Sequence, residues 1–116
     1  MIKVLVFRKN KEIHAFKITG HANSGPYGYD LVCAGVSAVS FGAVNAAMEL
    51  GNAEFIINQA DDGGYFYVEI PSDLSGENAK QVQLIFEAMI ISLQTIEREY
   101  RQFIQIIDKL GGTFIC

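Results

Sequence analysis

The chain has 116 residues, half of them apolar, and a formal net charge of −4 at neutral pH. That length supports one domain burying roughly two thirds of its unfolded surface, so no disulfide or metal staple is required, and with Cys33 and Cys116 as the only cysteines a disulfide framework is excluded. The acidic balance, with Lys and Arg scattered rather than clustered, argues against direct binding of nucleic acid and favours a basic partner.

Residues 2–7 and 12–19 are two β-like runs joined by the polar Lys9-Asn10-Lys11, which together read as a hairpin. The first run is too short for a targeting segment, and Lys3 and Arg8 bracket it as they would a strand, so the cytoplasm is the expected compartment. His14 stands in mid-strand with Phe16 and Ile18 as its alternation partners. It reads as a structural imidazole, because chemistry sits more often on loops than on strand centres.

After Gly20 a stretch containing two more glycines and Pro26 interrupts regular structure until Asp30, which stands where a helix N-cap belongs. The helix is predicted from Leu31 to about Leu50, ended by Gly51 and Asn52. Residues 31–48 carry no charge, which satisfies the length of a membrane span, but the glycines, serines, alanines and Asn45 make a poor one, and a buried helix is expected instead. Val32, Val36, Val39, Ala43, Ala46 and Leu50 share one narrow arc, expected on the sheet, and Cys33, Ser37, Ser40 and Val44 form the neighbouring strip. Phe41 and Met48 are uncharged too, so cover on a second side, from another helix or another subunit, is expected.

Residues 54–60 and 65–70 flank Asp61-Asp62-Gly63-Gly64, the strongest hairpin signal in the chain, and Pro71 closes the second strand. Ser75 with Asn78 marks the start of a long helix whose Val82, Ile85, Phe86, Met89, Leu93, Ile96 and Tyr100 line one face. Residues 103–108 read as a last strand, followed by a loose tail from Gly111-Gly112. This order predicts an α+β fold: a two-layer sandwich with two helices packed on one mixed, mostly antiparallel sheet of about five strands.

The chemistry concentrates between Gly20 and Ser37. With Asp30 as N-cap, Cys33 falls at N3, where unpartnered backbone N–H groups and the positive end of the helix dipole bias a thiol toward thiolate. His21 lies twelve positions earlier, at a strand end, within reach if the loop doubles back. Ser37 is one helical turn beyond Cys33 on the same face, able to bond the thiolate, the imidazole or a substrate, or merely the Cys33 carbonyl. Asp30 is sufficiently explained as a cap, and its carboxylate is also placed to orient His21. Asn23, Ser24, Gly25, Pro26, Tyr27, Gly28 and Tyr29 are either a plain connector or a flap, loose without substrate, whose tyrosine rings close over an apolar segment. On these residues alone, a reactive Cys33, catalytic or redox-sensing, and a structural core cysteine are equally well supported. The His, Cys and Asp residues lack paired metal-ligand spacing, and no phosphate-binding glycine pattern opens a helix, so no metal or nucleotide cofactor is implied.

Gly20-His21-Ala22 and Gly28-Tyr29-Asp30-Leu31-Val32-Cys33-Ala34-Gly35-Val36-Ser37 resemble the two signature elements of the bacterial ribosomal-processing cysteine proteases, with no departure at any motif position. The likeness extends to overall length, to the hairpin at Asp62 to Tyr65 and to the second helix. It implies an endopeptidase that removes the N-terminal extension of a large-subunit ribosomal protein, works as a homodimer without a cofactor, and uses Cys33 and His21 as its catalytic pair. The backbone N–H groups of Cys33 and Ala34, taken as free donors at the helix N-terminus, are the candidate oxyanion site. The alternative is a non-enzymatic ribosome-assembly binding module whose Cys33 is structural or redox-sensing.

Overall fold

Strands β1 (Ile2–Lys9) and β2 (Glu12–Thr19) pair antiparallel through a two-residue turn in which Asn10 and Lys11 have φ of 52° and 73°. Two successive positive φ values give the turn whose twist matches that of the strands it joins. This computed structural model describes residues 1–22, 25, 30–61 and 63–109. Phe7 pairs with Ala15 and Arg8 with Ile13, so His14 is the extra residue of a β-bulge. The bulge changes the phase of the strand and brings Ile13 onto the same buried face as Phe16 and Ile18, which strict alternation forbids. Gln83 holds it: its Nε2 donates to the Ile13 carbonyl at 2.8 Å and its Oε1 accepts the Ile13 N–H at 2.9 Å. His14 itself is exposed.

Helix α1 (Leu31–Leu50) follows, then the hairpin of β3 (Ile56–Gln59) and β4 (Tyr65–Glu69), helix α2 (Gly76–Glu99) and β5 (Ile104–Lys109). The sheet order is β3-β4-β2-β1-β5, antiparallel except for the parallel β1–β5 pair, and both helices pack against it and each other. The expected two-layer α+β sandwich is the observed one. Between the layers Phe16, fully buried, meets Phe66 and Phe86 edge-on at 6.1 and 5.3 Å between ring centroids, an arrangement that suits the quadrupoles of the rings.

Three details depart from the reading of the sequence. The buried arc of α1 is Val32, Val36, Ser40, Val44 and Ala47, rotated toward the strip that carries Cys33, while Leu50 is 69 % exposed. Ser40 makes this possible because its hydroxyl donates to the Val36 carbonyl at 2.8 Å and so buries no unmet polar group. The helix has the length and hydropathy of a membrane span, and that apolarity partly faces α2 and the sheet and partly faces outward at Leu31 and Phe41. Ser75 does occupy the N-cap of α2 but makes no side-chain cap bond, since Gly76 at φ 68° carries the chain into the helix by a non-helical step. The third strand is shorter than residues 54–60, ending in a four-residue edge.

The two layers are clasped at the far end of β1. Arg8 Nε and Nη2 donate to Asp108 of β5 at 2.7 and 2.9 Å, and Nη1 and Nη2 donate to Glu87 of α2 at 2.6 and 2.9 Å. These charge-assisted bonds raise the pKa of a guanidinium whose side chain is nearly buried.

Candidate active site

β2 delivers its last residues to the β3–β4 turn. Gly20 has φ 87°, and a Cβ there would run into the carbonyl of Met1, so only glycine fits. Its N–H donates to the Gly64 carbonyl at 2.9 Å, fixing the strand end to the hairpin. His21 comes next, and its imidazole rests on bare backbone. A Cβ on Gly64, itself at φ 81°, would lie 2.7 Å from His21 Nε2 and 3.3 Å from its Cε1.

The first turn of α1 approaches from the other side. Asp30 is extended and its Oδ1 accepts the Cys33 N–H at 3.0 Å, which sets Cys33 at N3 as predicted. The backbone N–H of Ala22 donates to Cys33 Sγ at 3.3 Å. His21, Cys33 and Ser37 thus line one cavity of about 330 Å³, with Phe41, Gln59 and Gly64 among the other walls. Ser37 is exposed and its hydroxyl forms no hydrogen bond among the described residues, so the back-bond to the Cys33 carbonyl is absent there. His14 lines a different groove, with Lys9, Glu12 and Pro71. Of the proposed flap, Gly25 is a half-buried bend; Asn23, Ser24, Pro26, Tyr27, Gly28 and Tyr29 lie outside the described residues, as does Cys116.

Two electrostatic expectations are corrected. The Cys33 thiol is not biased toward thiolate: burial pushes its pKa up, the Ala22 N–H pulls it down, and the hydrogen bond and charge of Asp30 push it up again. The carboxylate that caps the helix also cancels the positive end that was to favour the anion. The N–H groups of Cys33 and Ala34 are not free donors either. The first bonds Asp30 Oδ1, and the second closes the first helical turn on the Asp30 carbonyl at 3.0 Å. Ala22 N–H is the described donor aimed at the Cys33 sulfur.

The sign of the thiol shift gives a prediction. Alkylation requires thiolate, so a raised pKa places the rise in alkylation rate at higher pH than for an unperturbed thiol. Asp30→Asn keeps a side-chain oxygen for the cap but removes the charge, and is expected to move that rise to lower pH and speed reaction with iodoacetamide at neutral pH several-fold. A parallel fall in peptide cleavage would assign Asp30 to orientation of His21 as well; an unmoved alkylation profile would contradict the electrostatic account.

Sequence reading missed the hairpin's part in the site. The glycine pair was legible as a turn, but nothing local links it to a strand end more than forty residues away, and the contact exists only because β4 pairs with β2, Tyr65 opposite Thr19. Phe41 and Gln59 were likewise unassigned.

Comparison with known proteins carries the same pattern. The family model for cysteine protease Prp matches residues 1–105. The ribosomal processing cysteine protease Prp of Bacillus subtilis is 48 % identical over 111 residues, covering 95 % of this chain and 99 % of that one. Its Staphylococcus aureus counterpart is 46 % identical over 87 residues, covering 75 % and 78 %. Among solved structures, the S. aureus protease with a covalently linked product peptide superposes with a TM-score of 0.85 at 40 % identity, over 94 % of this chain and 100 % of that one. Its complex with a substrate peptide gives 0.79 at 39 % identity, with coverage of 94 % and 100 %. With the family model matching residues 1–105 and relatives 46–48 % identical to it, the chain belongs to the Prp family of cysteine proteases.

Proposed function

We propose that this protease is an endopeptidase that uses Cys33 as nucleophile and His21 as general base, and that it removes the N-terminal extension of a large-subunit ribosomal protein in the cytoplasm, without a cofactor. The observation that carries the pair is their convergence on one cavity from separate elements, with Ala22 N–H on the sulfur. The related proteases, named for ribosomal processing and crystallised with substrate and product peptides, supply the substrate class.

The raised thiol pKa shapes the mechanism. The resting enzyme holds Cys33 as a thiol, and deprotonation is coupled to attack: His21 takes the proton as Sγ bonds the scissile carbonyl carbon. Negative charge then passes from the sulfur to the carbonyl oxygen, and Ala22 N–H, already beside the sulfur, is the nearest described donor for it. His21 returns the proton to the leaving amine. Water, deprotonated by His21, then cleaves the thioester and regenerates the thiol.

Incubation with the ribosomal protein precursor tests this directly. Mass spectrometry is expected to find a new N-terminus with the wild-type protein and none with Cys33→Ser; a precursor that is bound but left intact would favour the binding module.

The reading includes a homodimer. Leu84 and Ile91, 67 % and 63 % exposed, lie two turns apart on the outer side of α2, a surface that a second copy would cover. Leu84→Lys with Ile91→Lys is expected to shift sedimentation from dimer to monomer. A wild-type protein that sediments as a monomer would end the proposal, and a double variant that stays dimeric would move the interface elsewhere.

A further inference from the structure

The two edges of the sheet are finished differently. On β5 the Ile106 N–H is taken by the Glu97 carboxylate at 2.8 Å, a side-chain plug that closes the edge at that point to another strand. On β3 all four residues are exposed, Ile56 and Ile57 by 50 % and 39 %, and no side chain is bonded to its outer side among the described residues. Ala60 N–H donates to the Tyr65 carbonyl at 3.1 Å, and bonded pairs alternate along an antiparallel ladder. Ile56 and Asn58 therefore direct their amide groups to β4, opposite Glu69 and Tyr67, while Ile57 and Gln59 direct N–H and C=O outward. The strand runs straight at the chemistry: Gln59, Ala60 and Asp61 line the cavity that holds His21 and Cys33.

We propose that the β3 edge is the docking strand for substrate: one arm of the cleaved polypeptide lies extended along it, its backbone bonded to Ile57 and Gln59, and enters the cavity at Cys33. This rests on the endopeptidase reading above and adds how the substrate is held. A substrate residue opposite Gln59 shares its face and turns toward α1, where Phe41 is 41 % exposed and meets Phe66 in a tilted contact at 4.5 Å between centroids. That position suits an apolar side chain; its neighbours on the arm turn to the Asn58 side. Most of the recognition is then by main chain, which any extended segment offers and a folded one cannot. A loose terminal extension is admitted, and the folded body of the same protein is excluded.

Synthetic peptides spanning the cleavage junction of the ribosomal protein, each with one N-methylated amide, give the test by mass-spectrometric kinetics. KM is expected to rise about tenfold at alternate positions of one arm and to change little at the positions between, the size of one lost hydrogen bond. Gln59→Pro removes an outward N–H that β4 does not use and is expected to raise KM for the unmodified peptide and flatten the alternation. Ile57→Pro serves the same purpose if the first variant does not fold, and the peptide series is decisive in the wild-type enzyme alone. A flat profile with cleavage intact overturns edge docking and leaves the endopeptidase reading standing; failure to cleave any of the peptides takes both down.

Discussion

Cys33→Ala and Cys33→Ser are both expected to lower turnover of the ribosomal precursor by about 10⁶, the scale on which loss of a covalent nucleophile acts. Neither should unfold the protein. Cys33 is only partly buried, and the helix cap uses its backbone N–H, which the substitutions keep. Serine is the sharper of the two, because its oxygen can still accept from Ala22 N–H but, as a hydroxyl, is a far weaker nucleophile without a base matched to it. Cys116→Ser is the matched control, expected to cleave at the wild-type rate. Intact circular dichroism with no cleavage supports the assignment; cleavage by Cys33→Ala would remove it, and unfolding would return the residue to the core.

Gly64→Ala is expected to mimic loss of the proposed base, lowering turnover by about 10² to 10⁴, the same range expected for His21→Ala. The new Cβ lies 2.7 Å from His21 Nε2, and what yields is the free end of a side chain, so the imidazole moves while the hairpin stays. Positive φ adds roughly 1 kcal/mol of strain, about 4 °C in melting temperature for a domain of this size, and the protein is expected to stay folded at 25 °C. Because both variants act through one group, the Gly64→Ala, His21→Ala double variant should be no slower than His21→Ala alone. Iodoacetamide should still alkylate Cys33 in all of them. A folded Gly64→Ala enzyme with full activity would show that the hairpin does not hold the base.

What the sequence disclosed and what it withheld divide by distance along the chain. The cap at Asp30, the N3 position of Cys33 and the hairpin of β3 and β4 are local patterns, and each was legible. The five strands and two helices followed from periodicity. The strand order did not, since nothing in residues 104–109 announces that they pair with β1, and hence neither did the seat of His21 on Gly64 or the open edge at Gln59. The thiol pKa was misread for another reason: dipole, burial and carboxylate act on one atom with opposite signs, and their sum depends on how deep the sulfur lies. The arc of α1 was misread because Ser40 counts as polar until its own helix satisfies it.

The Arg8 clasp has a consequence for how the protein comes into being. It joins residues 8 and 108, and β1 lies between its sequence neighbour β2 and the distant β5, with Ile2 N–H bonded to the Phe103 carbonyl at 2.8 Å. Closing so long a loop is slow, and nothing offsets its entropy until the far end arrives. His21, Cys33 and the hairpin turn on which His21 rests are all synthesised before residue 66, yet the scaffold that holds them at fixed spacing locks only when β5 docks. Synthesis order thus has a consequence: a nascent chain that has not yet released β5 already carries His21, Cys33 and the β3–β4 hairpin and still lacks the pairing partner of β1 that completes their frame.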